Sequence, residues 1–193
     1  MRHLRPELPT ARNAWDDLVV TDSTQRIYTG RVVTLDVAEV RLPNGHRAML
    51  EIVGHPGGAA VVALDERSHV CLLRQYRHVA GAWLWELPAG KLDGKPPDVT
   101  ARAELAEEAG LAARDWSSLG QIVTSPGVFT EVVHLFLARG LSTVAAAPAA
   151  DEVFEITWLP LAAAVGRARS GEIVDAKTVV ALLRAAHAVD PSI

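Results

Sequence analysis

Between positions 31 and 42 the apolar residues Val32, Val33, Leu35, Val37 and Val40 form a β-branched run, which predicts a strand. Pro43-Asn44-Gly45-His46 follows it, and Asn-Gly marks a hairpin because both residues tolerate positive φ. The return strand is expected at about 47–53, ending at Gly54-His55-Pro56-Gly57-Gly58. That Gly/Pro cluster predicts a boundary between an N-terminal β unit, 1–57, and a main domain, 58–193. Residues 1–18, with Pro6 and Pro9, read as irregular.

Beyond the boundary, the short apolar runs 59–64 and 70–73 flank the polar turn Asp65-Glu66-Arg67-Ser68 and read as buried strands. Another strand is expected at 83–87, then a loop at 91–97 and a helix from about 98 to 109, stopped by Gly110. Further strands are expected near 121–124, 132–138 and 154–159, with a Pro148-containing loop at 144–150. Two helices close the chain. One starts at Pro160, a residue favoured in a first turn, and ends near Ser170-Gly171. The other starts at the N-cap Asp175, shows Val179, Leu182, Leu183 and Ala186 at i, i+3, i+4, i+7, and stops at Asp190-Pro191. Strands interleaved with a few helices predict an α+β or mixed α/β fold with a mostly antiparallel sheet.

Composition narrows the function classes. With 49% hydrophobic and 22% charged residues in 193, the chain has the makings of a folded core. No apolar run approaches the roughly 18 residues of a membrane span, and the basic start Met1-Arg2-His3-Leu4-Arg5 leads into no apolar stretch. A soluble, cytoplasmic protein is expected. The single cysteine, Cys71, excludes an internal disulfide, and within Val70-Cys71-Leu72-Leu73 it reads as a small buried hydrophobe. A net charge of -4 argues against nucleic acid as a partner.

The chemistry concentrates in Glu104-Leu105-Ala106-Glu107-Glu108. On a helix, Glu104 is an i,i+3 neighbour of Glu107 and an i,i+4 neighbour of Glu108, so three carboxylates are expected on one face. At ~5–6 Å and an effective dielectric of about 20, each like-charged pair costs about 3 kcal/mol. A divalent cation reverses that repulsion, and hard oxygen ligands suit Mg²⁺ or Mn²⁺. Taken alone, the same run also reads as a solvated acidic helix face.

Its flanks decide between the two. Gly90, Glu104, Leu105, Glu107, Glu108, Gly110 and Leu111 match a Gly-bearing loop followed by a carboxylate helix, and Trp85-Glu86-Leu87-Pro88-Ala89-Gly90 leads into it. This pattern resembles that of the Nudix hydrolase family. The resemblance implies an α/β/α sandwich, here with a small N-terminal antiparallel β unit. It implies Glu104, Glu108 and the Ala89 carbonyl as metal ligands for Mg²⁺ or Mn²⁺, with Glu107 and Glu108 in the catalytic set. Two positions depart from the family pattern. Lys95 stands where a Glu is usual, and Ala103 where an Arg is usual, with Arg102 one place early. In the family those two residues brace the loop on the helix; Asp98 and Arg102, at i,i+4, are placed to substitute.

Pro126, sixteen residues past Gly110, and the string Ser125-Pro126-Gly127-Val128-Phe129-Thr130-Glu131 are similar to the ADP-ribose pyrophosphatase branch of that family. So are Gly30-Arg31-Val32-Val33, Gln75-Tyr76-Arg77 and Gly171-Glu172-Ile173-Val174-Asp175-Ala176-Lys177-Thr178, so the likeness runs from about 20 to 185. It implies ADP-ribose or a related nucleoside diphosphate sugar as substrate, cleaved by water to AMP and ribose 5-phosphate. Other nucleotide sugars, oxidised nucleotides and a non-catalytic ADP-ribose-binding protein are the alternatives. Arg77 is expected to grip diphosphate oxygens bidentately. Glu152, beside the last strand, is the expected base or extra metal ligand, with Glu131 the competitor. Ser125 and Glu131 would touch substrate. The N-terminal unit would exchange across a homodimer, with Arg31 and Glu51 as substrate contacts. An adenine-stacking aromatic, usual near Arg31, is missing there; Tyr28 and Trp15 are the substitutes.

Overall fold

The structure, a computed structural model, describes residues 20–147 and 153–190. The expectations for residues 1–18, Trp15, Pro148 and Glu152 fall outside them. The described chain divides into two compact units, one running to Pro56 with Ser125–Val132 added, the other taking Gly57–Thr124 and the residues from Val133 onward.

The first unit is a three-stranded antiparallel sheet of β1 (Val20–Thr29), β2 (Thr34–Arg41) and β3 (Arg47–Gly54), in that order. The expected hairpin joins β2 to β3. Leu42 N donates to His46 O at 2.8 Å, and Gly45 takes φ +84°, which a side chain would resist. Sequence reading takes the chain after residue 18 as β but sets no bounds for β1. Val20-Thr21-Asp22-Ser23-Thr24-Gln25-Arg26-Ile27-Tyr28-Thr29 has no alternation to read, and the strand owes its form to pairing with β2. The Ser125–Val132 segment joins β3 through Val53 N to Val128 O (2.7 Å) and Thr130 N to Val53 O (3.0 Å).

The second unit holds β4 (Gly58–Ala63), β5 (His69–Arg77), β6 (Ala82–Glu86), β7 (Ala89–Lys91), α1 (Pro97–Ala109), β8 (Leu111–Val123), β9 (Val132–Thr143), β10 (Phe154–Pro160), α2 (Leu161–Ser170) and α3 (Ala176–Val189). One sheet has the order β7-β4-β9-β8, the other β10-β5-β6. Pairing is antiparallel for β4–β7, β5–β6 and β5–β10, as the sequence predicts, whereas β4 and β9 run parallel.

Strand β4 explains the layering. All six of its residues are buried, so both of its faces must be covered. Ala60 and Val62 join Leu72, Leu135, Val165 and Leu182 in a cluster that reaches α2 and α3. Ala59, Val61 and Ala63 join Cys71, Ala101 and Leu105 in a second cluster against α1. Helices on both faces of the sheet make an α/β/α sandwich. Each large side chain so buried, Leu72, Leu105 or Leu182, contributes about 1.5–3 kcal/mol.

Two readings need correction. In α3 the buried positions are Thr178, Ala181, Leu182, Ala185 and Ala186, while Leu183 is exposed and Val179 only partly covered. The stripe is turned because small alanines let the helix come close to β4; picking out large residues misplaces it. Strand β8 begins at Leu111, ten residues earlier than expected, because Leu111-Ala112-Ala113-Arg114-Asp115-Trp116-Ser117-Ser118 hides its edge character behind polar residues.

Candidate active site

The segment Glu86–Gly90, from the end of β6 into β7, is held at every residue. Glu86 is buried and takes charged bonds on both carboxylate oxygens. Leu87 N donates to Thr178 Oγ1 at 3.0 Å, and Pro88 O accepts from Val61 N at 2.9 Å. Ala89 N donates to Glu108 Oε2 at 2.8 Å. Gly90 lies under Glu104: a Cβ at this position would stand 1.7 Å from Glu104 Oε1. Pairing of Ala60 with Ala89 and of Ala59 with Gly90 ties the segment to β4.

Helix α1 brings the carboxylates to this segment. Thr100, Ala101, Leu105 and Glu108 form its buried face, and Gly110, at φ +63°, ends it with its N–H on Ala106 O. The three glutamates do not share one environment. Glu108 is 3% exposed, Glu104 is intermediate, and Glu107 faces solvent. Among the described residues no three His, Cys, Asp or Glu side chains gather closely enough to hold a metal ion. The expected cluster is therefore two carboxylates at the Ala89–Gly90 peptide, with the third turned away. Two carboxylates and a backbone carbonyl, completed by waters, suit a Mg²⁺-sized ion, which binds through few protein ligands. The space that Gly90 leaves open and the Ala89 amide that anchors Glu108 fit that donor set.

Behind the carboxylates lies a four-charge network. Arg77 Nε and Nη2 donate to Glu86 Oε1 and Oε2 at 2.7 and 2.8 Å. Lys177 Nζ reaches Glu86 Oε2 at 2.5 Å and Asp175 Oδ1 at 3.0 Å. Asp175 caps α3 through Thr178 N, 3.0 Å from Oδ2. Burial alone would push the Glu86 carboxyl up, but the Arg77 and Lys177 bonds and charges outweigh it and hold it down at about 2. Glu86 in turn raises Arg77, against the burial that opposes it. The bidentate grip expected of Arg77 is thus engaged inside the protein, leaving Nη1 outside the pair. Sequence reading misses Glu86, Asp175, Lys177 and Thr178 as a network. One signal was available: a lone carboxylate in the apolar run Trp83-Leu84-Trp85-Glu86-Leu87 must find a charged partner when buried.

Cys71 has the buried setting expected of it. Burial first, and then the charge of Glu108, push its thiol up to about 12. The proposed loop brace takes another form. Arg102 makes no ion pair with Asp98; its guanidinium lies 4.5 Å from the centre of the Trp116 ring of β8. Lys95 is exposed, and its loop is held by backbone bonds, Leu92 N to Gly57 O and Lys95 N to Leu92 O.

The remaining expected contacts lie in the first unit. Arg31 and Glu51 are exposed, on the β1–β2 connection and on β3. The Tyr28 ring stands against Gly30, where a Cβ would meet its Cε1 at 2.7 Å. Ser125 O accepts from Phe129 N at 2.9 Å, and Glu131 Oε1 lies 3.4 Å from His55 Nδ1.

The NUDIX domain pattern matches residues 54–182, which hold the Glu86–Gly90 segment, α1 and the four-charge network. The chain belongs to the Nudix family. It is 42% identical to an ADP-ribose pyrophosphatase of Mycobacterium tuberculosis, over 88% of this chain and 83% of that protein. It is 41% identical to a methanol dehydrogenase activator of Bacillus methanolicus (84% and 89% covered) and 38% identical to an ADP-ribose pyrophosphatase of Bacillus subtilis (84% and 89%). The crystal structure of an ADP compounds hydrolase superposes with a TM-score of 0.77 at 20% identity, covering 90% of this chain and 95% of that one, which shows a shared Nudix fold.

Proposed function

We propose that this Nudix chain is a divalent-cation-dependent hydrolase that cleaves the diphosphate of ADP-ribose, or of a related nucleoside diphosphate sugar. From ADP-ribose the products are AMP and ribose 5-phosphate. The observation that carries the reading is the Ala89–Gly90 pocket, where Glu104 lies in the space of a missing Cβ and Glu108 is anchored by the Ala89 amide. The likeness to two ADP-ribose pyrophosphatases supports the substrate.

Glu104, Glu108 and the Ala89 carbonyl would hold Mg²⁺ or Mn²⁺. When bound, such an ion supplies the positive charge that admits a diphosphate to an acidic pocket and acidifies a water. Water adds across the P–O–P bridge: its oxygen joins one phosphorus, and the bridging oxygen leaves with the other. Glu152 takes the proton, and Glu131 is the alternative base. Glu107, on the solvent side of α1, supports the carboxylate pair. Arg77 steadies a diphosphate oxygen, while Ser125 and Glu131 contact substrate. In the same reading the protein is a cytoplasmic homodimer in which Arg31 and Glu51 of the N-terminal unit complete the partner's pocket. Exposed Ile27, Tyr28, Met49 and Leu50 on β1 and β3 leave apolar surface on this sheet for a partner to cover. No described helix is long and apolar enough to cross a membrane.

The test is AMP release from ADP-ribose with Mg²⁺, set beside a panel of nucleotide sugars and oxidised nucleotides. Glu108→Gln should abolish the release. ADP-ribose that binds but is never cleaved with Mg²⁺ or Mn²⁺ would make the protein a sensor, and preference for another panel member would reassign the substrate. Light scattering tests the dimer: a monomer at micromolar concentration would refute it.

A further inference from the structure

Glu86 bonds two cations, and Lys177, 2.5 Å from Oε2, is itself shared with Asp175 at 3.0 Å, so the network balances two anions with two cations. The exposures of Glu86 and Arg77 are unequal: the Glu86 side chain is 2% exposed and that of Arg77 43%. A buried anion therefore grips, through two bonds, a guanidinium that stands half in solvent. The pair fixes Nε and Nη2 and leaves Nη1, on the half-exposed side chain, facing something outside the protein.

The chain places that something near the carboxylates: Glu108 is anchored by Ala89, three residues after the Glu86 that holds Arg77, and the charge of Glu108 adds to the larger effect of Glu86 in raising the Arg77 pKa. With Nε and Nη2 fixed by Glu86, the guanidinium plane is set by β6 and, through Lys177, Asp175 and Thr178, by the start of α3. Holding a charged donor in place before an anion arrives removes the ordering cost at the moment of binding.

We propose that Glu86 is a positioning residue for the Arg77 cation. It turns the guanidinium so that Nη1 faces the diphosphate. The inference rests on the diphosphatase reading above, and it concerns binding more than the chemical step.

The experiment is a double-mutant cycle on the full-length protein with Arg77→Ala, Glu86→Gln and the double variant. KM and kcat for ADP-ribose are read beside the Kd for inorganic pyrophosphate by calorimetry. The expected result is a rise in KM and in the pyrophosphate Kd of about tenfold or more for each single variant, as loss of a charge-assisted pair implies. kcat should change less, and the double variant should match Arg77→Ala within about twofold, because without Arg77 there is nothing to position. A structural role alone would lower the melting temperature of Glu86→Gln and leave KM and Kd of the folded protein unchanged. That outcome overturns the proposal, as do effects that multiply in the double variant. Should Glu86→Gln not fold, Glu86→Asp draws the carboxylate back by one methylene and must shift both constants in the same direction. If the wild type releases no AMP, the diphosphatase reading fails alone, and the pyrophosphate Kd still decides on Glu86.

Discussion

Gly90→Ala separates the stability of the fold from the arrangement of the site. The added Cβ would lie 1.7 Å from Glu104 Oε1, 2.1 Å from Cδ and 2.8 Å from Oε2. Ordinary contact requires about 3.5 Å, so the carboxylate must retreat by about 1.8 Å. The obstacle is the end of a flexible side chain on a partly exposed helix position, so Glu104 can swing outward without disturbing the backbone. Gly90 does not have positive φ and lies in a strand, where alanine loses less conformational entropy than glycine. The melting temperature should therefore stay within about 3 °C of wild type, since surface-like changes are usually worth under ~0.5 kcal/mol. Activity should not survive. A displacement near 1 Å at a reacting centre costs about 100-fold, so kcat/KM with Mg²⁺ should fall by at least that factor, and half-saturation should need more Mg²⁺. Initial rates across a Mg²⁺ titration, with thermal unfolding on the same sample, measure both quantities. A Gly90→Ala protein with wild-type rate and Mg²⁺ dependence would refute the metal role of Glu104 at this peptide.

Two further outcomes follow from the network. Thr178→Val removes the hydroxyl that Leu87 N needs and that donates to Asp175 Oδ2 at 2.6 Å, so a buried amide loses its partner; chemical denaturation should show a loss of about 1–3 kcal/mol. Arg77 and Lys177, against the burial that opposes them, hold the Glu86 carboxyl down at about 2, well below the ordinary carboxylate range, so its contribution of about 3 kcal/mol is complete above the unfolded value and is lost as pH falls toward 2. Melting temperatures taken from pH 6 down to pH 2.5 should fall steeply for wild type and less steeply for Glu86→Gln, and parallel curves would contradict the depressed carboxyl.

What the sequence disclosed and what it hid divide along physical lines. Local signals were readable: the Asn44-Gly45 hairpin, the Asp175 cap, the Gly110 stop and the buried β4 each depend on residues within a few positions of one another. The carboxylate pair was readable because i,i+4 spacing on a helix fixes which side chains are neighbours. What failed was pairing at a distance. Strand β1 exists through β2, and the brace for α1 is Trp116 of β8 because Arg102 has a ring to stack on and no ion pair with Asp98. Glu86 is the sharpest case. Its partners stand 9 and 91 positions away, so charge type predicts that a cation is needed but not which one. That ambiguity has a consequence for the site. Glu86 holds Arg77 by Nε and Nη2 and leaves Nη1 outside the pair, while Lys177 at the start of α3, more than 65 residues beyond Glu108, bonds the same carboxylate and Asp175. Arg77 looks like a substrate contact in the sequence, and in the structure its orientation as one depends on Glu86, whose other partner comes from the separate stretch 171–178.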